Sequence, residues 1–126
     1  MAVASFLENQ SMVSKVYYPG LKSFEQYDLG KAQMTGYSGL LSFELNTDDL
    51  LSIKTFVNGL KLFSLGVSWG GHDSLVYAPA ISYLKELPPE KFKAMGIVMG
   101  LIRISVGLED PEDLIADLKN GLNKLA

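Results

Sequence analysis

Apolar residues recur along this chain with two different periods, and the switches between them mark out its elements. Residues 1–8 place Val3, Phe6 and Leu7 at helical spacing. Residues 14–18 alternate and predict a strand, closed by Pro19-Gly20. A helix is predicted over 24–34, with Phe24, Tyr27, Leu29 and Ala32 available to one side. Gly36 and Gly39 punctuate the chain before a predicted strand at 40–45. Asn46 or Thr47 then offers a cap, with Asp48 and Asp49 in the first turn. The helix it opens runs to about Leu60 and carries Leu50, Ile53, Phe56, Val57 and Leu60 at 3.6-residue spacing. The apolar run 62–67 reads as a strand, 74–77 as a short extended piece, and 79–84 as a helical turn. Pro88-Pro89-Glu90 opens a helix to Met95, and 101–106 reads as a strand. The chain closes on a helix over 112–124, with Asp110 as its cap, Pro111 first, and Glu112 and Asp113 in the first turn.

Strands that interleave with helices in this way predict an α/β fold. The expected architecture is a two-layer sandwich, an about four-stranded, mainly antiparallel sheet with helices on one face. The other face then needs a partner layer. No repeat, low-complexity tract or linker divides the chain, so residues 1–126 are expected to form one domain. A helix that begins at the first residue without a good cap suggests a chain cut from something longer.

Composition narrows the function classes. The chain has 126 residues, 48% hydrophobic and 20% charged, the balance of a folded domain. Its net charge is -3, and its 11 Lys and Arg are dispersed, which argues against nucleic acid or an anionic membrane as partner. No apolar run reaches the ~18 residues of a membrane span. Residues 1–10 lack the basic and apolar regions of a signal peptide. Zero cysteines exclude disulfides and thiolate metal sites, and a cytoplasmic location is expected.

Two segments carry candidate chemistry. The first is the strand at 101–106, where Arg103 stands among Leu101, Ile102, Ile104 and Val106. A guanidinium keeps its proton, so burying it without an anion is very costly. Three answers are open: it reaches the sheet rim, an acid holds it, or it awaits an anionic ligand. The second is Ser68-Trp69-Gly70-Gly71-His72-Asp73-Ser74-Leu75, directly after the predicted strand. Adjacent glycines there permit a close backbone approach, though a plain turn would use them too. His72 is the only histidine and has no carboxylate cluster around it, so no metal site is expected. Asp110, Glu112 and Asp113 fit helix-terminus electrostatics, and Tyr17 and Tyr18 fit packing.

Together these segments resemble the C-terminal domain of the pyridoxal-phosphate enzymes of Cys/Met metabolism. That family contains the cystathionine synthases and lyases and methionine lyase. Val16-Tyr17-Tyr18-Pro19-Gly20-Leu21 is similar to its V-x-Y-P-G-L. Residues 31–45, KAQMTGYSGLLSFEL, are similar to its K-x-Q-M-x-G-x-x-G-x-x-S-F-E-L. The resemblance runs in order from about Val13 to the end of the chain. Trp69, where many members carry leucine, looks more like the beta-lyases than the gamma-synthases. The chain departs at Phe24-Glu25, where many members have His-Pro, and at His72 and Asp73, where an aromatic residue and glutamate are usual.

The resemblance implies the small C-terminal domain of a fold-type I enzyme. Its partner would be its own large domain, which carries the cofactor, pyridoxal 5'-phosphate, on a lysine in a Ser/Thr-rich segment. No lysine of this chain stands in a Ser-x-Thr-Lys context, so no catalytic residue is expected here and the isolated chain is expected to be inactive. Arg103 matches the arginine that grips the substrate α-carboxylate, and Ser68 and Trp69 match the loop that completes that site. Among Ile102, Ile104 and Val106, such an ion pair would be poorly screened. The implied activity is carbon–sulfur cleavage of a sulfur amino acid, in a homo-oligomer that is tetrameric when full length. Two rivals are a free-standing module that binds amino-acid carboxylates and a pure assembly domain, both without catalysis.

Overall fold

The computed structural model describes residues 1–83 and 87–125. Six helices and five strands follow one another as α1 (Ala2–Glu8), β1 (Val13–Tyr17), α2 (Tyr27–Gln33), β2 (Leu40–Leu45), α3 (Leu50–Gly59), β3 (Ser64–Leu65), β4 (Leu75–Tyr77), α4 (Pro79–Tyr83), α5 (Pro89–Ala94), β5 (Leu101–Ser105) and α6 (Pro111–Asn123). The strands form one sheet in the order β1–β2–β5–β4–β3. The pairs β1–β2, β2–β5 and β4–β5 are antiparallel, and only β3 joins parallel to its neighbour. The α/β sandwich is therefore as expected, but its sheet is five-stranded and mixed.

Alternation along the strands decides where the core sits. Val16, Leu41, Phe43, Leu45, Val76, Ile102 and Ile104 turn to one face and are buried there. Against them pack Val3, Ala4 and Leu7 of α1, Ile53, Phe56 and Val57 of α3, and Leu114, Leu118 and Leu122 of α6. Phe43 and Phe56 meet edge to face across this layer, with centroids 6.0 Å apart. Helices thus cover one face of the sheet, and the other is left half-buried.

Two helix starts show how local chemistry sets the boundaries. The α6 cap is Asp110, whose Oδ1 accepts from the Glu112 N–H at 2.8 Å, with Pro111 in the first turn as predicted. At α3 the cap is Asp49 rather than Asn46 or Thr47. Its Oδ2 accepts from the Ser52 N–H at 2.8 Å, while Thr47 Oγ1 accepts from the Asp49 N–H at 3.2 Å in the preceding turn. Three short polar residues compete for one role, and the one with a free N–H three positions on wins.

Two other expectations change, and a third holds over the described residues. The helix predicted over 24–34 covers only Tyr27–Gln33 and buries no residue. The run 62–67 forms a two-residue edge strand, and Phe63 alone of its apolar side chains is buried. The predicted turn at 79–84 is α4 over Pro79–Tyr83, and Leu84 lies outside the described residues.

One buried acid ties the end of α3 to this region. Asp117 of α6 accepts from three successive N–H groups, Lys61 and Leu62 at 2.8 Å each and Phe63 at 3.3 Å. The segment entering β3 is therefore held by the last helix, not by the sheet.

Candidate functional site

The site grows from the alternation of β5. Ile102 and Ile104 point into the core, so Arg103 between them points to the opposite, open face and is half-buried. The expectation that it lies buried among Ile102, Ile104 and Val106 is corrected by this geometry. The isoleucines lie behind the sheet from it. Register places Arg103 in a row across four strands, with Ser42 beside it on β2, Tyr17 beyond on β1, and Tyr77 on β4.

Two contacts set the posture of the guanidinium. Its Nη2 donates to the Val67 carbonyl at 2.7 Å, and its carbon lies 4.9 Å from the centroid of the Tyr77 ring. A ring face and a carbonyl orient a cation without neutralising it. Among the described residues no carboxylate pairs with it; the contacts between basic and acidic side chains found there are Lys15–Glu25 and His72–Asp73, each at 3.2 Å. Of the three answers open at the sequence level, the acid partner thus finds no support among the described residues.

Ser68 and Trp69 lie in the loop between β3 and β4, with the backbone tied down on either side of them. Val67 just before is bonded to Arg103, and the Gly70 N–H just after donates to Ser105 Oγ at 3.0 Å. Gly70 has φ +78°, a conformation that favours glycine. The fold therefore brings this dipeptide alongside Arg103, while both side chains remain exposed, Trp69 at 61%. Sequence reasoning missed Tyr77, Ser105 and the Val67 carbonyl. Ser105 was within reach, since it stands two residues from Arg103 on the same face. Tyr77 needed the β4–β5 register, and no local signal gives that.

The other candidates fall apart from this cluster. His72 and Asp73 are exposed neighbours, and no group of three metal-ligating side chains occurs among the described residues. Glu25 pairs with Lys15, and with Phe24, Ser23 and Glu8 it lines a cleft of about 320 Å³ over β1. That cleft borders the same open face but does not contain Arg103, Ser68 or Trp69. At its inner end Tyr17 donates a short hydrogen bond to Glu44, which together with partial burial pushes the phenol up to about 12.

These features define a small α/β domain with a cationic, aromatic-backed surface, open on one side. The comparisons with known proteins give that surface a context. Residues 1–123 match the family described as Cys/Met metabolism PLP-dependent enzyme. The chain is 46% identical to a cystathionine beta-lyase of Lactococcus lactis subsp. cremoris over 122 residues, covering 97% of this chain and 32% of that protein. It is 47% identical to the cystathionine gamma-lyase of Sus scrofa, covering 97% of this chain and 30% of that protein. A crystal structure of cystathionine gamma synthase from Xanthomonas oryzae pv. oryzae, in complex with aminoacrylate and cysteine, superposes with a TM-score of 0.87 at 38% identity, over 98% of this chain and 32% of that one. The chain belongs to the Cys/Met-metabolism family of pyridoxal-phosphate-dependent enzymes, and it spans about a third of the length of the relatives it matches. Beta- and gamma-lyases match it equally well, so overall identity does not decide the subfamily that Trp69 suggests.

The residues described do not form a cradle for the cofactor. Every described lysine is exposed. The Gly70 N–H, close to Arg103 in the fold, is already engaged by Ser105. A Schiff base needs a held, deprotonated amine, and a phosphate needs several free N–H groups.

Proposed function

We propose that this chain is the substrate-side domain of a pyridoxal-phosphate-dependent carbon–sulfur lyase, and that Arg103 binds the α-carboxylate of a sulfur amino acid. The carrying observation is the posture of Arg103: a fixed guanidinium on an open sheet face, oriented by a carbonyl and a ring. A planar fork of donors matches a carboxylate bidentately, which fixes the amino acid in direction as well as place. Ser68 and Trp69, tied down on both sides, stand where their backbone N–H groups and the serine hydroxyl supply further donors. The domain's role is positioning, which lowers a barrier by fixing the angle of the reacting bond. The lysine and the cofactor belong to the large domain that packs on the open face, and residues 1–126 alone have no lyase activity.

The test is made in the enzyme that joins this domain to its cofactor domain. Losing a charge-assisted pair in a partly dry site costs about 2–5 kcal/mol, so Arg103→Ala lowers kcat/KM by roughly 30-fold to several thousand-fold. Arg103→Lys recovers only part, because an ammonium lacks the fork. Cofactor absorbance stays nearly unchanged. A kcat/KM within a factor of about two of the parent, with the circular dichroism intact, would make the arginine a structural strand residue.

A further inference from the structure

The loop 66–74 carries the whole near side of the proposed site, yet its own hydrogen bonds to the sheet are few. What anchors its far end is a polar network outside the site. Ser74 is fully buried, and each of its polar groups is used. Its N–H donates to Glu109 Oε1 at 3.0 Å and its hydroxyl donates to Glu109 Oε2 at 2.7 Å. The same hydroxyl accepts from the Gly107 N–H at 2.9 Å, and its carbonyl accepts from the Ser64 N–H at 3.0 Å. Next to it the His72 carbonyl accepts from the Leu108 N–H at 2.9 Å. The loop and the 107–109 turn are so close that a side chain at Gly107 would collide with the His72 carbonyl and the Glu109 carboxylate.

We propose that Glu109 is a positioning residue that, through Ser74, holds the loop bearing Val67, Ser68 and Trp69 in register with Arg103. The proposal rests on the carboxylate reading of Arg103. The geometry makes a carboxylate specific: Ser74 presents two donors side by side, and only a group with two acceptor oxygens takes both. A glutamine amide offers one oxygen and one NH2, so one Ser74 donor loses its acceptor. The hydroxyl oxygen can accept from that NH2 with its second lone pair, but its own hydrogen then points away from Glu109 and is left without the carboxylate acceptor in a buried place. The loop is further joined to β5 at Val67 and Gly70, so freedom gained at Ser74 reaches the guanidinium directly. Glu109 itself bonds to Ser74, and among the described residues no hydrogen bond or ion pair joins it to the Arg103 row, which makes its effect indirect.

Trp69 is the only tryptophan of this chain and sits in the loop, so it reports on the clamp without any chemistry. Glu109→Gln and Ser74→Ala are made in the 126-residue chain, and tryptophan anisotropy decay is measured at a dilution where light scattering shows a monomer, with circular dichroism as the check on folding. Both variants are expected to show a fast local component and easier quenching by acrylamide. Unchanged anisotropy and quenching in both, with the fold intact, overturns the clamp. In the full enzyme, Glu109→Gln is expected to raise KM by about 5- to 20-fold with kcat within about two-fold, and Glu109→Asp to recover part of the loss. If Arg103→Ala raises KM and Glu109→Gln does not, the positioning role is overturned while the carboxylate reading stands. If Arg103→Ala also leaves KM unchanged, the carboxylate reading falls and takes the positioning role with it.

Discussion

Tyr17 shows how one residue's chemistry depends on the register that the fold imposes. Its hydroxyl donates to the Glu44 carboxylate on the neighbouring strand, and that bond, followed by desolvation and the charges of Glu44 and Glu25, raises its pKa from 10.0 to about 12. A folded-state value above the unfolded one stabilises the protein fully below about pH 10, and the contribution disappears as pH rises through about 12. The urea midpoint is therefore expected to fall across that alkaline window. Tyr17→Phe should be less stable at neutral pH and should lose that part of the slope. An unaltered slope in the variant would show that the Glu44 bond does not control this titration. The sequence offered Tyr17 only as packing, because Glu44 lies 27 residues away and their meeting depends on strand pairing. Arg103 was legible for the opposite reason. A permanent charge in an apolar run is conspicuous whatever the fold. Its direction was not, since the alternation was read as burial all round instead of one face in and one face out.

Elements with their own punctuation were readable. The Asp-Pro-Glu-Asp start of α6 and the Pro-Gly end of β1 need no tertiary information, and both fall where expected. β3 is the counterexample. Leu62, Leu65 and Val67 look like buried strand residues, but an edge strand of two residues pairs only with β4 and leaves them exposed. Its position depends instead on Asp117, which reaches from α6 to three successive N–H groups. Removing that carboxylate leaves three donors without an acceptor in a largely buried place. Asp117→Ala is expected to destabilise the chain by about 2–4 kcal/mol in urea unfolding, and Asp117→Asn by less, since one oxygen remains. A loss below about 0.5 kcal/mol for the alanine variant would mean that water replaces the carboxylate freely and that the entry to β3 is not anchored there.

At the scale of the whole molecule, the asymmetry of the sheet is the organising fact. One face is covered by α1, α3 and α6. The other carries Tyr17, Ser42, Arg103 and Tyr77, and there Tyr77 meets Tyr83 of α4 edge to face, with centroids 6.2 Å apart. Beside it the β3 edge and its loop present Leu65, Val67 and Trp69 at 64%, 73% and 61% exposure, and Leu108 in the adjoining turn stands at 85%. Scattered exposed apolar residues are ordinary, but four on one segment and the turn bonded to it concentrate apolar surface at this end of the sheet. The relatives of this chain are about three times its length. The purified 126-residue chain is therefore expected to bind a hydrophobic dye and to self-associate in light scattering as concentration rises. Replacing Leu65 and Val67 by serine should reduce both signals while leaving the circular dichroism unchanged, because neither side chain contributes to the core. A monomer without dye response would show instead that the open face is complete in water. It would favour a free-standing carboxylate-binding module over a domain made to be covered.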